Sequence, residues 1–309
     1  MDLILNIGLF VLSLLVLLKA SDWFIDSAER IGLSLGISPF IVGVTIVAFG
    51  TSLPELAASI AAVYGGKSEL VISNVVGSNI TNIALVLGLT AVAVKKIDLE
   101  YNIWHIDMPY LWGSAFMLFL VLLDGHLSVA EAILLLLGIV MFLAYTMAST
   151  SEKSDDLPKT NWRDFAFLLL GGALVALGAK YMIVSIEELS SQAGIDPEII
   201  GLFAVALGTS LPEIVVSLNA GRKGKASIAV GNVLGSNIFN TYVVMGIPRL
   251  IGDLEIPQKI LDFDIIMMLV MSIMFGVIVN NKKVTRWEGF VLLLFYALFL
   301  VEIFKSFLE

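Results

Sequence analysis

The residues best suited to chemistry in this chain are two glutamates that stand inside apolar segments. Glu55 ends the run Gly-Thr-Ser-Leu-Pro-Glu, and the same six residues recur up to Glu213, 158 residues later. An ionised carboxylate at membrane depth costs at least ~2.5–3.5 kcal/mol, so it needs a compensating cation. Neither segment contains Lys or Arg. We therefore expect the partner to be a bound cation, a proton or a basic residue from elsewhere in the chain.

Other oxygen-bearing groups surround both glutamates. Pro54 and Pro212, with a glycine one turn earlier, are expected to kink or unwind each helix and so free backbone carbonyl groups. Downstream, a serine and an asparagine four residues apart share one helix face in each copy. The hydroxyl and carboxamide candidates are Thr51, Ser52, Thr209, Ser210, Ser78, Asn82, Ser236 and Asn240. Such oxygen ligands suit hard cations such as Ca²⁺ and Na⁺.

Asn79 and Asn237 lie on a neighbouring face of the same two helices. Each could supply a ligand oxygen or could instead bond across to another helix. The residue pattern leaves both alternatives open.

The elements that must position these residues are membrane helices. Hydrophobic residues make up 58% of the 309, charged residues only 15%, and the mean hydropathy is +0.96. Soluble domains carry about 25% charged residues, so a soluble enzyme, a nucleic-acid-binding protein and a disordered chain are all excluded. A net charge of −9 also argues against a polyanionic partner. Because the chain has no cysteine, any metal site must use oxygen or histidine ligands.

A span needs about 20 mostly apolar residues, and ten candidate spans fall into two sets of five. They are approximately 3–20, 39–62, 70–94, 107–123 and 127–148, then 164–184, 197–220, 227–248, 262–280 and 287–305. The predicted fold class is therefore an all-α polytopic membrane protein with ten transmembrane helices. Residues 1–148 form the first repeat, 149–163 a cytoplasmic linker and 164–309 the second repeat. With both termini outside, 13 of the 18 basic residues face the cytoplasm, as the positive-inside rule expects.

The two halves read as copies of one another. The register of 158 residues holds from Gly36 to Gly88, and Gly-Ser-Asn-Ile-x-Asn, which begins at Gly77, recurs at Gly235. Since each copy contains five spans, an odd number, the second must enter the membrane the opposite way up. Inverted repeats are typical of alternating-access secondary transporters, which hold their substrate near the midplane where the copies meet.

The doubled Gly-Thr-Ser-Leu-Pro-Glu followed by Gly-Ser-Asn-Ile-x-Asn resembles the alpha repeats of the cation/calcium exchanger superfamily, on its sodium/calcium exchanger branch. The repeats correspond to about residues 39–94 and 197–248. The resemblance implies that Glu55 and Glu213, with the backbone carbonyls of Thr51 and Thr209, hold Ca²⁺. It also implies sodium ligands, namely Ser52, Ser210, Ser78, Ser236 and the carbonyls of Ala48 and Ala206. The first helix of each half, about 3–30 and 164–190, would slide as the gate.

Two features set this chain apart from parts of that family. Some prokaryotic members carry Asp where this chain has Asn240, so the site here is symmetric, with two carboxylates. The animal exchangers carry a large calcium-sensing insert between the halves, whereas residues 149–163 form only a short connection. We therefore expect no such regulation.

The sequence predicts an antiporter of the cell membrane, in a prokaryotic cytoplasmic membrane, and not an enzyme. Its substrates would be Na⁺ and Ca²⁺, exchanged at three Na⁺ per Ca²⁺ as the resemblance implies, with calcium expelled. No catalytic residue, cofactor, nucleic acid or obligate protein partner is predicted. Proton-coupled calcium exchange, potassium-dependent exchange and a passive cation channel are the alternatives. An intramembrane aspartyl protease is disfavoured because no Asp lies in the repeated motifs.

Overall fold

The computed structural model describes residues 3–99, 104, 107–148, 160–192 and 208–308. Within these ranges the chain forms ten helices, interrupted in places by wider π-helical turns. They are α1 (Leu3–Ser34), α2 (Pro39–Tyr64), α3 (Glu69–Val94), α4 (Asp107–Val121), α5 (Val129–Ala148), α6 (Trp162–Gln192), α7 (Leu211–Arg222), α8 (Ala226–Ile251), α9 (Ile260–Val279) and α10 (Arg286–Leu308). Eight of these described helices are long and apolar enough to cross a membrane, α4 and α7 being the two that are not.

The helical membrane fold predicted from composition is confirmed, and two helices extend beyond the spans predicted for them. The first predicted span ended near residue 20, whereas α1 continues to Ser34. The sixth was placed at 164–184, whereas α6 runs from Trp162 to Gln192. The helix α1 extends beyond its apolar window because Asp26 and Glu29 in its outer turns pair with lysines of another segment. The start of the seventh predicted span and most of the 149–163 linker lie outside the described residues. The ten-span count and the external termini remain predictions.

Helix starts follow local capping patterns. At α5, the Ser128 amide donates to Glu131 Oε2 over 2.7 Å and the Glu131 amide donates to Ser128 Oγ over 3.2 Å. This reciprocal arrangement satisfies two N-terminal amides that have no partner within the helix. The Asn161 amide likewise donates to Asp164 Oδ2 at the start of α6. Short polar sequences between the apolar segments thus define where these helices begin.

One helix forms the centre of the molecule. The apolar window of α8 is entirely buried, whereas only 22% of the windows of α1, α6 and α10 is buried. Those three helices are therefore peripheral, with broad apolar faces available to lipid. A short antiparallel strand pair, β1 (Lys96–Asp98) and β2 (Lys283–Thr285), joins the chain after α3 to the chain before α10. Each strand follows a lysine in the left-handed region, Lys95 or Lys282, which turns the chain out of its helix.

One pair of equivalent glycines differs in how closely its surroundings pack. A Cβ at Gly235 in α8 would stand 2.1 Å from the Val44 carbonyl oxygen and 2.7 Å from Ala48 Cβ. At Gly77, the equivalent residue of the first repeat, a Cβ would meet nothing within 4 Å. Identical residues thus serve different packing needs in the two copies.

This difference predicts opposite outcomes for two matched substitutions. Gly235→Ala is expected to lower the melting temperature of the detergent-purified protein, because overpacking costs about 1–3 kcal/mol. Gly77→Ala is expected to leave it unchanged or raise it, since alanine stabilises a helix by about 1 kcal/mol relative to glycine. Fluorescence-monitored thermal unfolding of both variants tests this. Equal melting temperatures for the two variants would contradict the packing described here.

Candidate cation-binding site

Glu55 and Glu213 lie at the centre of the molecule, on α2 and α7, and both side chains are completely buried. They come from opposite repeats and are close enough for their charges to interact. Ser52 Oγ of the first repeat donates to Glu213 Oε1 over 3.1 Å. Neither oxygen of Glu55 has a hydrogen-bond partner among the described residues. The arrangement brings two carboxylates into one buried region in which few hydrogen bonds offset the cost of burial.

The serines and asparagines predicted on α3 and α8 surround the same region. Ser78 Oγ lies 3.4 Å from Thr209 Oγ1, which links α3 to the second motif. Asn82 and Asn240 are completely buried, and a π-helical turn begins at each of them. Such wide turns are rare and occur frequently at functional sites. Both repeats therefore place this irregularity at the same residue of the motif.

Many polar atoms here are buried without a hydrogen-bond partner, although buried polar groups in proteins are nearly always satisfied. Within the described part of the chain, these include atoms of Glu55, Glu213, Ser210, Ser236, Asn82 and Asn240, together with Asn79 Oδ1 and Asn237 Oδ1. Nearly all of the oxygens among them can accept a hydrogen bond or bind a hard cation. These oxygens are therefore suitable ligands for Na⁺ or Ca²⁺. The described residues contain no group of three His, Asp or Glu side chains that would form a metal centre of another type.

The backbone around the first motif differs from what the sequence predicts. The helix α2 stays continuous through Pro54, and its irregular part is a π-helical turn at Gly43–Val47, immediately before Ala48. Because Pro54 has no N–H, the carbonyl of Gly50 still loses its helical partner. In the second copy the expected unwinding is present, since Thr209 and Ser210 form a turn ahead of α7.

The structure describes only one of the two alanines whose carbonyls are predicted sodium ligands, Ala48 and Ala206. Thr51 Oγ1 lies 3.3 Å from the Ala48 carbonyl oxygen, and the Cβ of Ala48 packs beside Gly235, next to Ser236. Ala206 lies outside the described residues, so its role stays a prediction.

Asn79 and Asn237 form the cross-helix hydrogen bonds that were one of the two alternatives for them. Asn79 Nδ2 donates to Thr241 Oγ1 over 2.9 Å, and Asn237 Nδ2 donates to the Asn79 carbonyl over 3.2 Å.

Two further asparagines, which the sequence reasoning missed, contact the site threonines. Thr51 Oγ1 donates to Asn232 Oδ1 over 3.1 Å, and Thr209 Oγ1 donates to Asn74 Oδ1 over 3.1 Å. Each bond joins one repeat to the other. Asn74 and Asn232 are 158 residues apart. The repeat register that identified the glutamates could therefore have identified this pair as well.

A large cavity reaches the site. It has a volume of about 1060 Å³ and is lined mainly by apolar residues of α2 and α6, with Thr209, Asn74 and Ser59 among its polar lining residues. Lys180, which the predicted topology places outside, also lines the cavity. Thr51 and Asn232, the equivalent residues of Thr209 and Asn74, are fully buried and do not line it. The two symmetry-related halves of the site thus differ in access.

On the opposite side, ion pairs join α1 to the segment between α7 and α8. Lys223 Nζ lies 2.6 Å from Asp26 Oδ1, and Lys225 Nζ lies 2.7 Å from Glu29 Oε2. Burial lowers the pKa of Lys225, but hydrogen bonds to Asp26 and Glu29 outweigh it and raise the pKa above its usual value. Lys225 therefore stays protonated at neutral pH. These contacts explain why α1 remains helical well beyond its apolar window.

Comparison with known protein families gives a direct assignment. The family model described as sodium/calcium exchanger protein matches residues 5–148 and 164–305. This chain belongs to the sodium/calcium exchanger family. It is 34% identical to the sodium/calcium exchanger MaX1 of Methanosarcina acetivorans, across 97% of this chain and 98% of that protein. It is also 33% identical to the inner membrane protein YrbG of Escherichia coli, across 91% of each chain.

A solved structure of the sodium-calcium exchanger NCX_Mj superposes on this exchanger-family chain with a TM-score of 0.86 and 30% sequence identity, covering 98% of this chain and all of that one. The match therefore extends over both repeats. With its membrane helices, this member of the exchanger family is a multi-pass protein of the cell membrane. The family is one of exchangers and not of enzymes.

Proposed function

We propose that this protein exchanges Na⁺ for Ca²⁺ across the membrane by alternating access. One observation carries the proposal. Two completely buried glutamates from opposite repeats lie close enough for their charges to interact. Three of their four carboxylate oxygens have no hydrogen-bond partner among the described residues. Such a site is stable only when cations neutralise it. Membership of the sodium/calcium exchanger family and the similarity to MaX1 and NCX_Mj support Na⁺ and Ca²⁺ as those cations.

The proposed ligands of Ca²⁺ and of Na⁺ differ in charge and in position. Glu55 and Glu213, with the backbone carbonyls of Thr51 and Thr209, would hold Ca²⁺, because a divalent ion matches two carboxylates. Sodium ions would use the same carboxylates together with neutral oxygens around them. Those oxygens belong to Ser52, Ser210, Ser78, Ser236, Asn82, Asn240, Ala48 and Ala206. Since the two ion sets share ligands, they compete for one region.

Shared ligands also explain why the flows are coupled. A site that carries two negative charges and no cation cannot change its facing side without exposing those charges to a low-dielectric interior, which costs several kcal/mol per ion. Calcium on one side and sodium on the other each neutralise it. The protein therefore crosses loaded in both directions, and net flow of one ion requires flow of the other.

The peripheral helices α1 and α6 are the elements proposed to move. Each touches the glycine of one motif, since a Cβ at Gly50 would stand 2.5 Å from Phe24 Cζ and one at Gly208 would stand 3.1 Å from Ile183 Cδ1. The open cavity on the Lys180 side and the ion pairs on the Lys225 side support an outward-facing state. Inward sodium flow would drive calcium out, at three Na⁺ per Ca²⁺, so each cycle would carry one net positive charge inward.

The decisive experiment uses purified protein in liposomes and follows uptake of radioactive calcium. Vesicles contain sodium, or potassium at the same pH, or neither ion but an imposed pH gradient. We expect uptake only with internal sodium, accompanied by a membrane current on a solid-supported membrane. Uptake driven by the pH gradient alone would replace the proposal with proton coupling, and uptake without any counter-ion would indicate a channel. A requirement for potassium together with sodium would indicate potassium-dependent exchange.

A further inference from the structure

Asn74 on α3 has all of its hydrogen-bonding capacity engaged at the edge of the site. Its Nδ2 donates to the Glu55 main-chain oxygen over 3.1 Å and to Ser59 Oγ over 2.9 Å. Its Oδ1 accepts from Thr209 Oγ1 over 3.1 Å and from Ser78 Oγ over 3.4 Å. A carboxamide can donate two such bonds and accept two. Because the Glu55 carbonyl can only accept, the amide orientation is fixed.

Asn232 on α8 repeats this arrangement with the two halves exchanged. Its Nδ2 donates to Ser217 Oγ over 2.9 Å, as Asn74 does to Ser59. Its Oδ1 accepts from Thr51 Oγ1, as that of Asn74 does from Thr209. Ser59 and Ser217 are themselves equivalent residues of the two repeats. The recurrence of the whole threonine, asparagine and serine set across the duplication argues against an incidental contact.

The asparagines act on the site through the threonines. A threonine hydroxyl has one proton. When that proton is donated to the asparagine oxygen, the lone pairs of the threonine oxygen point away from the asparagine. The bond also restricts rotation of the threonine side chain, and the backbone carbonyl of the same residue is proposed to bind Ca²⁺. Because asparagine and threonine come from different repeats, each bond fixes the second motif relative to the first. Loss of the bond would loosen a ligand without removing it.

The two sets differ in their position relative to the cavity. Asn74, Thr209 and Ser59 line it, whereas Asn232, Thr51 and Ser217 do not. We propose that Asn74 and Asn232 are positioning residues, each of which holds the site threonine of the opposite repeat, and that one set is exposed to each side of the membrane in turn. The proposal rests on the exchange function proposed above.

Asn74→Leu and Asn232→Leu test this inference, because leucine has a similar size and no polar atom. Sodium-driven calcium exchange is measured in right-side-out and inside-out membrane vesicles. We expect Asn74→Leu to raise the KM for calcium about tenfold on the external side and less on the cytoplasmic side, the loss of one oriented hydrogen bond to a ligand. Asn232→Leu is expected to show the reverse. In both, the maximal rate should fall less than the KM rises.

The control is Ser73→Ala, which alters another polar residue of the same cavity. Among the described residues, Ser73 Oγ donates only to the Glu69 carbonyl in its own helix, over 3.0 Å. The KM for calcium should therefore stay at the wild-type value on both sides. If Asn74→Leu does not accumulate in the membrane, Asn74→Ser replaces it in the experiment, because a serine side chain is too short to bond Thr209. If each variant changes the KM for calcium by the same factor on both sides, the proposal is overturned while wild-type exchange persists. Absence of exchange in the wild-type protein would instead overturn the function itself.

Sidedness can be checked without transport, because the chain contains no cysteine. Ser59→Cys and Ser217→Cys each introduce a single thiol at equivalent positions. We expect a membrane-impermeant thiol reagent to modify Ser59→Cys from outside and Ser217→Cys from the cytoplasmic side. Modification of both thiols from the same side would contradict alternate exposure.

Discussion

Glu55→Gln and Glu213→Gln are each expected to lower calcium exchange more than about 100-fold at low calcium concentration. Glutamine keeps the shape of the side chain and removes one of the two charges proposed to neutralise Ca²⁺. At an effective dielectric constant of about 20, one unit charge attracts another at 4 Å by about 4 kcal/mol, and a divalent ion is attracted twice as strongly. Even partial loss of this attraction exceeds the 2.7 kcal/mol or so that corresponds to 100-fold.

The measurement should separate calcium binding from sodium coupling. Exchange of radioactive for unlabelled calcium across the liposome membrane requires no sodium, and we expect it to fall as strongly as sodium-driven uptake. Glu255→Gln is the matched control, since it makes the same substitution at an exposed residue between α8 and α9. Wild-type rates in Glu55→Gln or Glu213→Gln would remove that carboxylate from the site.

A second large effect is expected from tethering α1 to the segment between α7 and α8. Glu29→Cys combined with Lys225→Cys places two thiols where an ion pair of 2.7 Å now lies. A short bifunctional methanethiosulfonate should join them and reduce exchange to below about a tenth, because α1 could no longer slide past this segment. Reduction of the tether should restore the rate.

The control joins α1 to α6, which we expect to move as a pair because Gly171 and Gly178 of α6 pack directly on α1. The rings of Trp23 and Phe167 are 5.6 Å apart, so Trp23→Cys combined with Phe167→Cys accepts the same reagent. This tether should leave most of the exchange rate intact. If both tethers stop exchange equally, α1 and α6 move independently. If neither affects it, the ion pairs do not separate during transport.

The duplication made the centre of the site predictable. Glu55 and Glu213 could be recognised because a charged residue inside an apolar segment is costly, and their recurrence in register implied that the copies meet. Both are buried together, as this reasoning requires. Asn74 and Asn232 follow the same register and were missed, because a lone asparagine carries no net charge and its partners lie in the other repeat.

Differences between the copies could not be predicted, because the two motifs are identical in sequence. Pro54 lies within a continuous helix, whereas Pro212 follows a turn at the start of α7. Gly77 has open space around it, whereas Gly235 packs on the backbone of α2. The identical motifs thus have different neighbours in the two copies, which a symmetric pattern does not specify. Helix ends such as that of α1 depended on lysines almost 200 residues away.

The complete burial of α8 has a consequence for the order of synthesis. This helix belongs to the second repeat, yet its asparagines bond residues of α2 and α3 that are made much earlier. Until Ala226–Ile251 leaves the ribosome, Thr51 and Asn79 lack their hydrogen-bond partners in α8. The first five helices are therefore synthesised before their central partner, and about the last quarter of the chain completes the centre of the protein.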